Sequence, residues 1–256
     1  MSLKLFDLTG RVALVTGGNG GIGLGMARGI AEAGAKVMIA GRNAEKNAAA
    51  VKDLEASGAE AASVEVDVTD PDSCAAMVKA TTDRFGRVDC LVNNAGTAIR
   101  KQPQDYELDE WHQVLDTNLT SAFTCSRAVY PLMKAQGGGK IVMIGSMMSI
   151  FGASFSAPYA SSKGGIVQLG KSLANAWAKD NIQVNTVLPG WINTDLTYQA
   201  REQVEGLHQR VLDRTPAGRW GEPEDHAGIA VFLASKASDF VTGTAIPVDG
   251  GFSIFI

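Results

Sequence analysis

Two side chains with complementary acid–base chemistry, Tyr159 and Lys163, stand four residues apart in the segment YASSK. On an α-helix this spacing places both side chains on one face, where they can meet the same bound molecule. A free tyrosine has a pKa of about 10, and a neighbouring ammonium lowers that pKa because it favours the phenolate. The pair therefore predicts a phenol that can exchange a proton with an alcohol or a ketone near neutral pH.

A glycine-rich turn near the start of the chain has the composition of a phosphate-binding loop. The apolar run Arg11–Thr16 is followed by GGNGGIG at residues 17–23, where a helical pattern begins. Glycines let the main chain turn tightly and approach a pyrophosphate, and the start of the helix offers free N–H groups to it. The residues expected to hold the phosphates of a dinucleotide are Gly17, Asn19, Gly21, Ile22 and Gly23.

Short apolar runs alternate with stretches of helical period along the whole chain. The runs are Arg11–Thr16, Lys36–Ala40, Ser63–Val66, Val88–Val92, Lys140–Ile144, Gln183–Leu188 and Thr244–Val248. The helical stretches are Gly23–Ala33, Ala44–Ser57, Ser73–Phe85, Trp111–Ala135, Tyr159–Lys179 and Pro223–Ala234. This alternation predicts an α/β fold, a doubly wound parallel sheet of Rossmann type with helices on both faces. We expect a single domain over residues 1–256, with a substrate flap at about 191–215.

Further motifs follow one another in a fixed order. Asn93-Asn94-Ala95-Gly96 closes the fourth apolar run, Asn118 lies in the long central helix, and Ser146 follows the fifth run. Pro189-Gly190 and then Thr194 follow the sixth run. Together with the TGxxxGxG turn and the YxxxK pair, these motifs resemble the short-chain dehydrogenase/reductase family from about Leu8 to Phe252.

The resemblance implies an oxidoreductase that interconverts a secondary alcohol and a ketone by hydride transfer with a nicotinamide cofactor. Tyr159 is then the general acid/base, and Lys163 holds the nicotinamide ribose. Lys163 and the positive charge of the oxidised nicotinamide both lower the pKa of Tyr159. Ser146 forms a hydrogen bond with the substrate oxygen, where charge develops. Asn118 holds a water that links Lys163 to a proton relay.

The same resemblance assigns most of the cofactor contacts. Asn93, Asn94, Ala95 and Gly96 are expected on the adenosine ribose side. Asp67, followed by Val68, is expected to reach the adenine edge, unless it is a simple turn or helix cap. The residues expected at the nicotinamide carboxamide end are Pro189, Gly190, Ile192 and Thr194.

The end of the second apolar run indicates which dinucleotide is used. An acidic residue there would bind the ribose 2′-hydroxyl and favour NAD. The chain instead has Gly41 and then Arg42, whose guanidinium can pair with a 2′-phosphate. We predict a preference for NADP(H), with NAD(H) possible; the alternative is that Arg42 only stacks on adenine or caps the next helix.

The substrate side is less distinctive. Met147, Met148, Phe151, Phe155 and Trp191 lie at or near family pocket positions and suggest a partly apolar wall. Basic residues near the mouth, which could pair with a substrate carboxylate or be solvated surface, are Arg100, Lys101, Arg201, Arg210 and Arg214. Segments 211–221 and 232–248 resemble family members that act on sugar acids, gluconate 5-dehydrogenases and 2-deoxygluconate 3-dehydrogenases among them. The alternatives are a ketoreductase like the 3-oxoacyl-carrier-protein reductases and a non-catalytic dinucleotide-binding sensor.

Composition excludes some classes of function. A formal net charge of −4 gives no basic face for nucleic acid, and no apolar run reaches the length of a membrane span. Three cysteines without CxxC spacing and three distant histidines predict neither a metal site nor a disulfide framework. The N-terminus lacks the pattern of a signal peptide, so we expect a cytoplasmic protein. The resemblance implies a homotetramer, in which the apolar tail Phe252–Ile256 would be buried at a subunit contact.

Overall fold

One sheet organises the molecule, whose computed structural model describes residues 3–255. Its strands are β1 Val12–Thr16, β2 Lys36–Gly41, β3 Ala61–Glu65, β4 Cys90–Asn93, β5 Gly139–Ile144, β6 Ile182–Pro189 and β7 Ala245–Val248. All neighbouring strands are parallel, and their order is β3-β2-β1-β4-β5-β6-β7. The predicted doubly wound parallel sheet is therefore confirmed, although the strand ends differ from the predicted ends by up to two residues.

Helices cover both faces of this sheet. They are α1 Gly21–Glu32, α2 Ala44–Ala56, α3 Pro71–Phe85, α4 Leu108–Leu115, α5 Ser121–Ala135, α6 Ala157–Trp177, α7 Asp195–Gln203, α8 Leu207–Arg214 and α9 Ala227–Ala234. Successive residues of β1 pack in two different cores. Val15 packs in the core with α1, α2 and α9, whereas Leu14 packs in the core with α3, α5 and α6. Burial on both faces explains why the strands are continuous apolar runs.

Local sequence signals set the ends of helix α3. The side chain of Asp70 accepts a hydrogen bond from the N–H of Asp72 at 2.9 Å, and Pro71 opens the helix. Gly86 ends it with φ +83°, a left-handed conformation that glycine adopts without a steric penalty. The helix therefore begins two residues before the predicted Ser73 and ends at the predicted Phe85.

The predicted helical stretch Trp111–Ala135 is helical throughout but is not a regular α-helix. Between α4 and α5, residues Asp116–Thr120 form a π-helical turn. In this turn the buried Asn118 uses both atoms of its amide on other segments: Nδ2 donates to the Thr97 carbonyl at 3.0 Å, and Oδ1 accepts from the Thr97 N–H at 2.8 Å. π-turns often mark functional sites.

The strand order reverses between β1 and β4, which diverge into the two halves of the sheet. In open α/β sheets, ligands bind in the crevice outside the carboxyl ends of the strands at such a switch point. Thr16 ends β1 and Asn93 ends β4. The glycine-rich turn, which follows Thr16, and the NNAG segment, which begins at Asn93, therefore lie side by side at the crevice.

The apolar tail divides into two parts. Phe252 is buried within its own chain, in a cluster with Met147 and Leu188. Ile254 and Phe255 are 82% and 48% exposed, and Ile256 lies outside the described residues. In residues 3–255 no helix has the length and hydropathy of a membrane span, and no cluster of three or more metal-ligating side chains is found within the same range.

Candidate active site

A cavity of about 490 Å³ lies at the carboxyl ends of the strands. It brings together seventeen of the predicted site residues, which are spread over residues 17–194: Gly17, Asn19, Gly21, Ile22, Arg42, Asp67, Val68, Asn94, Ala95, Gly96, Ser146, Tyr159, Lys163, Pro189, Gly190, Ile192 and Thr194. Two further predicted site residues, Gly23 and Asn118, do not line it. Its other lining residues include Lys46, Thr117, Asp195 and Thr197, which the sequence analysis does not select.

The glycine-rich turn leaves a helix start open toward this cavity. Gly17 has φ +61°, and a Cβ there would lie 3.0 Å from Asn94 Nδ2. Gly20 caps α1 without a side chain, and the first turn of α1 contains no acidic residue. The N–H groups and the positive end of the helix dipole are therefore free to meet an anion. This cradle fits the diphosphate of a dinucleotide.

Gly23 supports the turn from behind. A Cβ at Gly23 would lie 2.4 Å from both Asn94 Nδ2 and the Gly17 carbonyl oxygen. Asn94 Nδ2 in turn donates to the Gly17 oxygen at 2.9 Å. Thr16, missed by the sequence analysis, accepts hydrogen bonds on Oγ1 from the N–H groups of Asn94 and Ala95, at 3.1 and 3.2 Å. These contacts join the two motifs into one wall.

Asn93 does not belong to this wall, which corrects its expected place beside the adenosine ribose. Asn93 is the last residue of β4, and its buried side chain donates to Ser126 Oγ at 2.9 Å, on helix α5. Because side chains alternate along a strand, Asn93 lies in the core while the following Asn94 faces the cavity. The two asparagines look equivalent in sequence, and only their register in the strand separates them.

The far end of the cavity is polar and carries charge. Arg42 is exposed there, and Asn47 Nδ2 donates to the Gly41 carbonyl at 2.8 Å, which fixes the end of β2. Asp67 accepts hydrogen bonds from the hydroxyl and the N–H of Thr69, at 2.7 and 2.9 Å. These bonds and the charge of Arg42 hold the pKa of Asp67 below its ordinary value. Asp67 thus caps a turn, the alternative considered for it, and also lines the cavity.

Tyr159 and Lys163 lie on the predicted common face of α6. Lys163 Nζ is 5.6 Å from the centre of the Tyr159 ring and donates to the Ile144 carbonyl at 2.7 Å. Lys163 is 4% exposed, and burial lowers its pKa to about 8. Its ammonium is therefore held at the end of β5, next to the phenol.

The expected fall in the pKa of Tyr159 is not produced by the residues of this chain. Burial raises the pKa of Tyr159, whereas a hydrogen bond with Ser146 and the positive charge of Arg100 lower it. The desolvation of the phenolate outweighs both. The second cation beside the phenol is Arg100, a role that the sequence analysis did not assign.

Ser146 is oriented by a residue that sequence reasoning missed. The Ser146 Oγ accepts from the Met148 N–H, and the Ser146 N–H donates to Ser149 Oγ, both at 3.1 Å. Ser149 Oγ donates to the main-chain oxygen of Lys163 at 2.7 Å. The strand end that carries Ser146 is thereby tied to α6. The serine pair three residues apart was a visible signal, since this is the spacing of a capping box.

Asn118 does not line the cavity. Its Nδ2 also donates to Ser162 Oγ at 3.0 Å, next to Lys163 in α6. Together with its two bonds to Thr97, this places the amide between the loop after β4 and the helix that carries Tyr159. The predicted water and proton relay at Asn118 stay a prediction.

A smaller cavity of about 80 Å³ adjoins the first and shares Ser146 and Tyr159 with it. Four of the five predicted apolar wall residues line it, namely Met147, Met148, Phe155 and Trp191. Phe151 does not line it; its ring packs edge-on against Phe252 at 6.3 Å. Leu196 and Thr197 of α7 close the opposite side.

Arg100 is the one predicted basic residue that lines this smaller cavity. It is half-buried and donates to the Leu196 carbonyl at 2.9 Å and to Gln203 Oε1 at 3.2 Å. Within residues 3–255 it has no carboxylate partner. Its positive charge is therefore available to a ligand.

The other basic candidates are engaged elsewhere. Lys101 pairs with Glu110 at 2.5 Å, and Arg210 donates to the Glu205 carbonyl at 2.8 Å. The guanidinium of Arg201 stacks 3.5 Å from the centre of the Trp220 ring. The guanidinium of Arg214 contacts the rings of Phe151 and Phe252, at 4.8 and 4.4 Å.

Comparison with known proteins gives concordant matches over the full chain. Residues 17–253 match the family described as enoyl-(acyl carrier protein) reductase. The 2-dehydro-3-deoxy-D-gluconate 5-dehydrogenase of Dickeya dadantii (strain 3937) is 42% identical over 98% of this chain and 99% of its own length. The gluconate 5-dehydrogenase of Gluconobacter oxydans (strain 621H) is 40% identical over 98% of this chain and 97% of its own length.

A solved structure agrees with these matches. The crystal structure of a gluconate 5-dehydrogenase from Burkholderia cenocepacia J2315, in complex with NADP and tartrate, superposes with a TM-score of 0.95. The two chains are 40% identical, and the match covers 100% of each.

Proposed function

Because this chain belongs to the short-chain dehydrogenase/reductase family, we propose that it interconverts the alcohol and ketone forms of a sugar acid or polyol with NADP(H). The observation that carries the proposal is one junction: Ser146, Tyr159 and Lys163 meet where the larger cavity joins the smaller one. Arg100, a cation with no acidic partner among the described residues, faces the same junction.

A nicotinamide held in the larger cavity would supply or accept the hydride, and the protein positions the reactants and moves the proton. Because burial raises the pKa of Tyr159, its hydroxyl is protonated at neutral pH and can donate to a ketone oxygen. In the oxidative direction the phenolate form of Tyr159 takes the proton of the alcohol, and because this form becomes more populated as the pH rises, oxidation gains rate. Ser146 holds the reacting oxygen by a second hydrogen bond.

Lys163 contributes to catalysis through the place at which its ammonium is held. The Ile144 carbonyl fixes its ammonium on the cavity side of α6, where it can hold the hydroxyls of the nicotinamide ribose. We propose that Asn118 carries the predicted water of a proton relay near this ammonium. This proposal is supported by the closeness of both groups to Gly96: a Cβ built on Gly96 would lie 3.3 Å from Asn118 Oδ1 and 3.8 Å from Lys163 Nζ.

The remaining wall residues fit the rest of the cofactor. The open helix start would hold the diphosphate, and Arg42 would pair with the 2′-phosphate of NADP(H). Ile192 and Thr194 would contact the carboxamide; their loop is fixed by Thr197, whose hydroxyl donates to the Ile192 carbonyl. The related gluconate 5-dehydrogenase from Burkholderia cenocepacia J2315 was crystallised with NADP, which supports this preference over NAD(H).

The acidic substrate class rests on Arg100, which a carboxylate can meet beside Tyr159. We expect Arg100→Ala to lower kcat/KM for a sugar acid about 10- to 100-fold, through KM, while a neutral polyol loses less than about threefold. Steady-state kinetics with matched acid and polyol substrates measure both. Lys101→Ala is the control, because Lys101 is paired with Glu110. Equal losses on both substrates would contradict the carboxylate role, since the bonds of Arg100 to α7 would explain them.

We further propose a cytoplasmic homotetramer with a flap formed by α7 and α8. Phe123, 43% exposed on α5, and the exposed Ile254 and Phe255 are apolar side chains that a subunit contact would cover. The three cysteines are free and buried, which suits a reducing compartment. Sizing chromatography tests the assembly, and a monodisperse monomer would contradict it.

A further inference from the structure

An ion pair crosses the mouth of the larger cavity, between Lys46 in the first turn of α2 and Asp195 at the start of α7. Lys46 Nζ lies 3.5 Å from Asp195 Oδ2, and the two side chains are 61% and 87% exposed. Both residues line the cavity. The pair thus connects the adenosine end of the cavity with the first helix of the proposed flap.

Lys46 stands among the residues that face the adenosine ribose. The main-chain N–H of Lys46 donates to the side chain of the N-cap Asn43 at 2.8 Å, which fixes the main chain of Lys46 at the start of α2. Lys46 and Arg42 line the same wall of the cavity. The other acid of this wall, Asp67, is held by Thr69 and by the charge of Arg42. Asp195 is therefore the acid with which Lys46 pairs in the described part of the chain.

We propose that Lys46 is a second residue, besides Arg42, that distinguishes NADP(H) from NAD(H), by exchanging Asp195 for the 2′-phosphate of the cofactor. The inference rests on the proposed function. An ion pair between two exposed side chains is weak because water screens it. A phosphate offers close to two charges and three acceptor oxygens, so it binds the ammonium more strongly than one carboxylate does.

The exchange gives the two dinucleotides different effects on the flap. A ribose 2′-hydroxyl carries no charge and leaves Lys46 paired with Asp195. A 2′-phosphate takes Lys46 away and frees Asp195, the first residue of α7. The affinity for NADPH should therefore depend on both members of the pair, whereas the affinity for NADH should depend on neither.

The test is binding of NADPH and of NADH to the full chain without substrate, followed by the fluorescence of the reduced nicotinamide. Lys46→Met should raise the Kd for NADPH about fivefold and change the Kd for NADH less than twofold. Lys52→Met is the matched control, because Lys52 is an exposed lysine of the same helix away from the cavity. It should change neither Kd.

A second variant tests the exchange itself. Asp195→Asn removes the competitor, so it should lower the Kd for NADPH about twofold in the wild-type background and leave it unchanged in the Lys46→Met background. Equal losses for both dinucleotides in Lys46→Met would overturn the proposal, because Lys46 would then hold the shared diphosphate. An unchanged Kd for NADPH would overturn it as well. Wild-type protein that binds NADH more tightly than NADPH would instead refute the cofactor preference in the proposed function.

Discussion

The two halves of the site are built differently. Around the cofactor, much of the cavity wall is main chain at strand ends, as at Gly17, Ala95 and Gly190. Around the substrate, the wall is made of side chains such as Arg100 and Trp191, which come from loops far apart in sequence. One half is shaped by turns, and the other half by the meeting of side chains.

This difference decides how each half responds to substitution. A wall of main chain depends on small residues that allow close approach, so an added methyl group should damage its shape. A wall of side chains depends on the charge and hydrogen bonding of each group, so removal of a single polar atom should damage its chemistry. Substitutions in each half can separate the two kinds of damage.

The largest effect is expected from Tyr159→Phe, which removes one hydroxyl from the side-chain half. We expect kcat to fall about 10³-fold or more, because general acid–base catalysis is lost. The Kd of the cofactor should stay within about threefold, because the ring that lines the cavity is kept. Steady-state kinetics and fluorescence titration measure the two quantities.

Tyr130→Phe is the matched control for this variant. The Tyr130 hydroxyl donates to Asp180 at 2.8 Å, and its ring stacks on Trp177 at 4.7 Å, away from the cavity. It should keep the wild-type kcat. A Tyr159→Phe enzyme with more than a tenth of the wild-type kcat would show that another group transfers the proton.

The main-chain half could be predicted well because its signals are local. The turn at residues 17–23 follows a strand and opens a helix, and both elements form as their apolar periods predict. Asn94 and Ala95 could be predicted for the same reason, because they come directly after strand β4. Asn93 could not be placed, because the side of a strand that a residue faces depends on register against the neighbouring strands.

Long-range packing explains what the sequence did not reveal in the side-chain half. The YxxxK spacing correctly placed Tyr159 and Lys163 on one face of α6. The sequence could not reveal that burial raises the pKa of Tyr159 in the chain by itself, because burial is a property of the folded chain. The fall predicted with the oxidised cofactor bound stays a prediction. Arg100 could be selected as one of five basic residues, but only the structure shows which of them faces the phenol.

The main-chain half is tested by Gly23→Ala, the next largest effect. A Cβ there would lie 2.4 Å from both Asn94 Nδ2 and the Gly17 oxygen, so the turn must shift. We expect a loss of about 2 kcal/mol in the free energy of unfolding, the overpacking cost less the helix propensity gained by alanine. Denaturant unfolding without cofactor measures it.

Gly228→Ala is the control, because Gly228 is also in the first turn of a helix and a Cβ there meets nothing within 4 Å. It should be neutral or stabilising by up to about 1 kcal/mol. If both glycine variants had equal stability changes, close approach at Gly23 would not be what shapes the turn.

The smallest effect on stability, and the one most specific to the side-chain half, is expected from Lys163→Met. In the folded chain burial lowers the pKa of Lys163 to about 8, below its ordinary value of 10.5, so the unfolded chain binds the proton more tightly. The charged lysine therefore destabilises the fold fully below pH 8, and this penalty disappears as the pH rises from about 8 toward 10.5. A shift of this size corresponds to about 3 kcal/mol, offset in part by the hydrogen bond to the Ile144 carbonyl.

Lys163→Met should thus raise the free energy of unfolding by about 1–2 kcal/mol at pH 7 while it abolishes turnover. The gain should shrink as the pH approaches 10, as measured by denaturant unfolding at a series of pH values. Lys171→Met, at an exposed position of the same helix, should give no such pH dependence. A Lys163→Met variant less stable than wild type at pH 7 would mean that the ammonium stabilises the folded chain. A buried cation kept at a cost in stability is expected where chemistry, and not packing, selects the side chain.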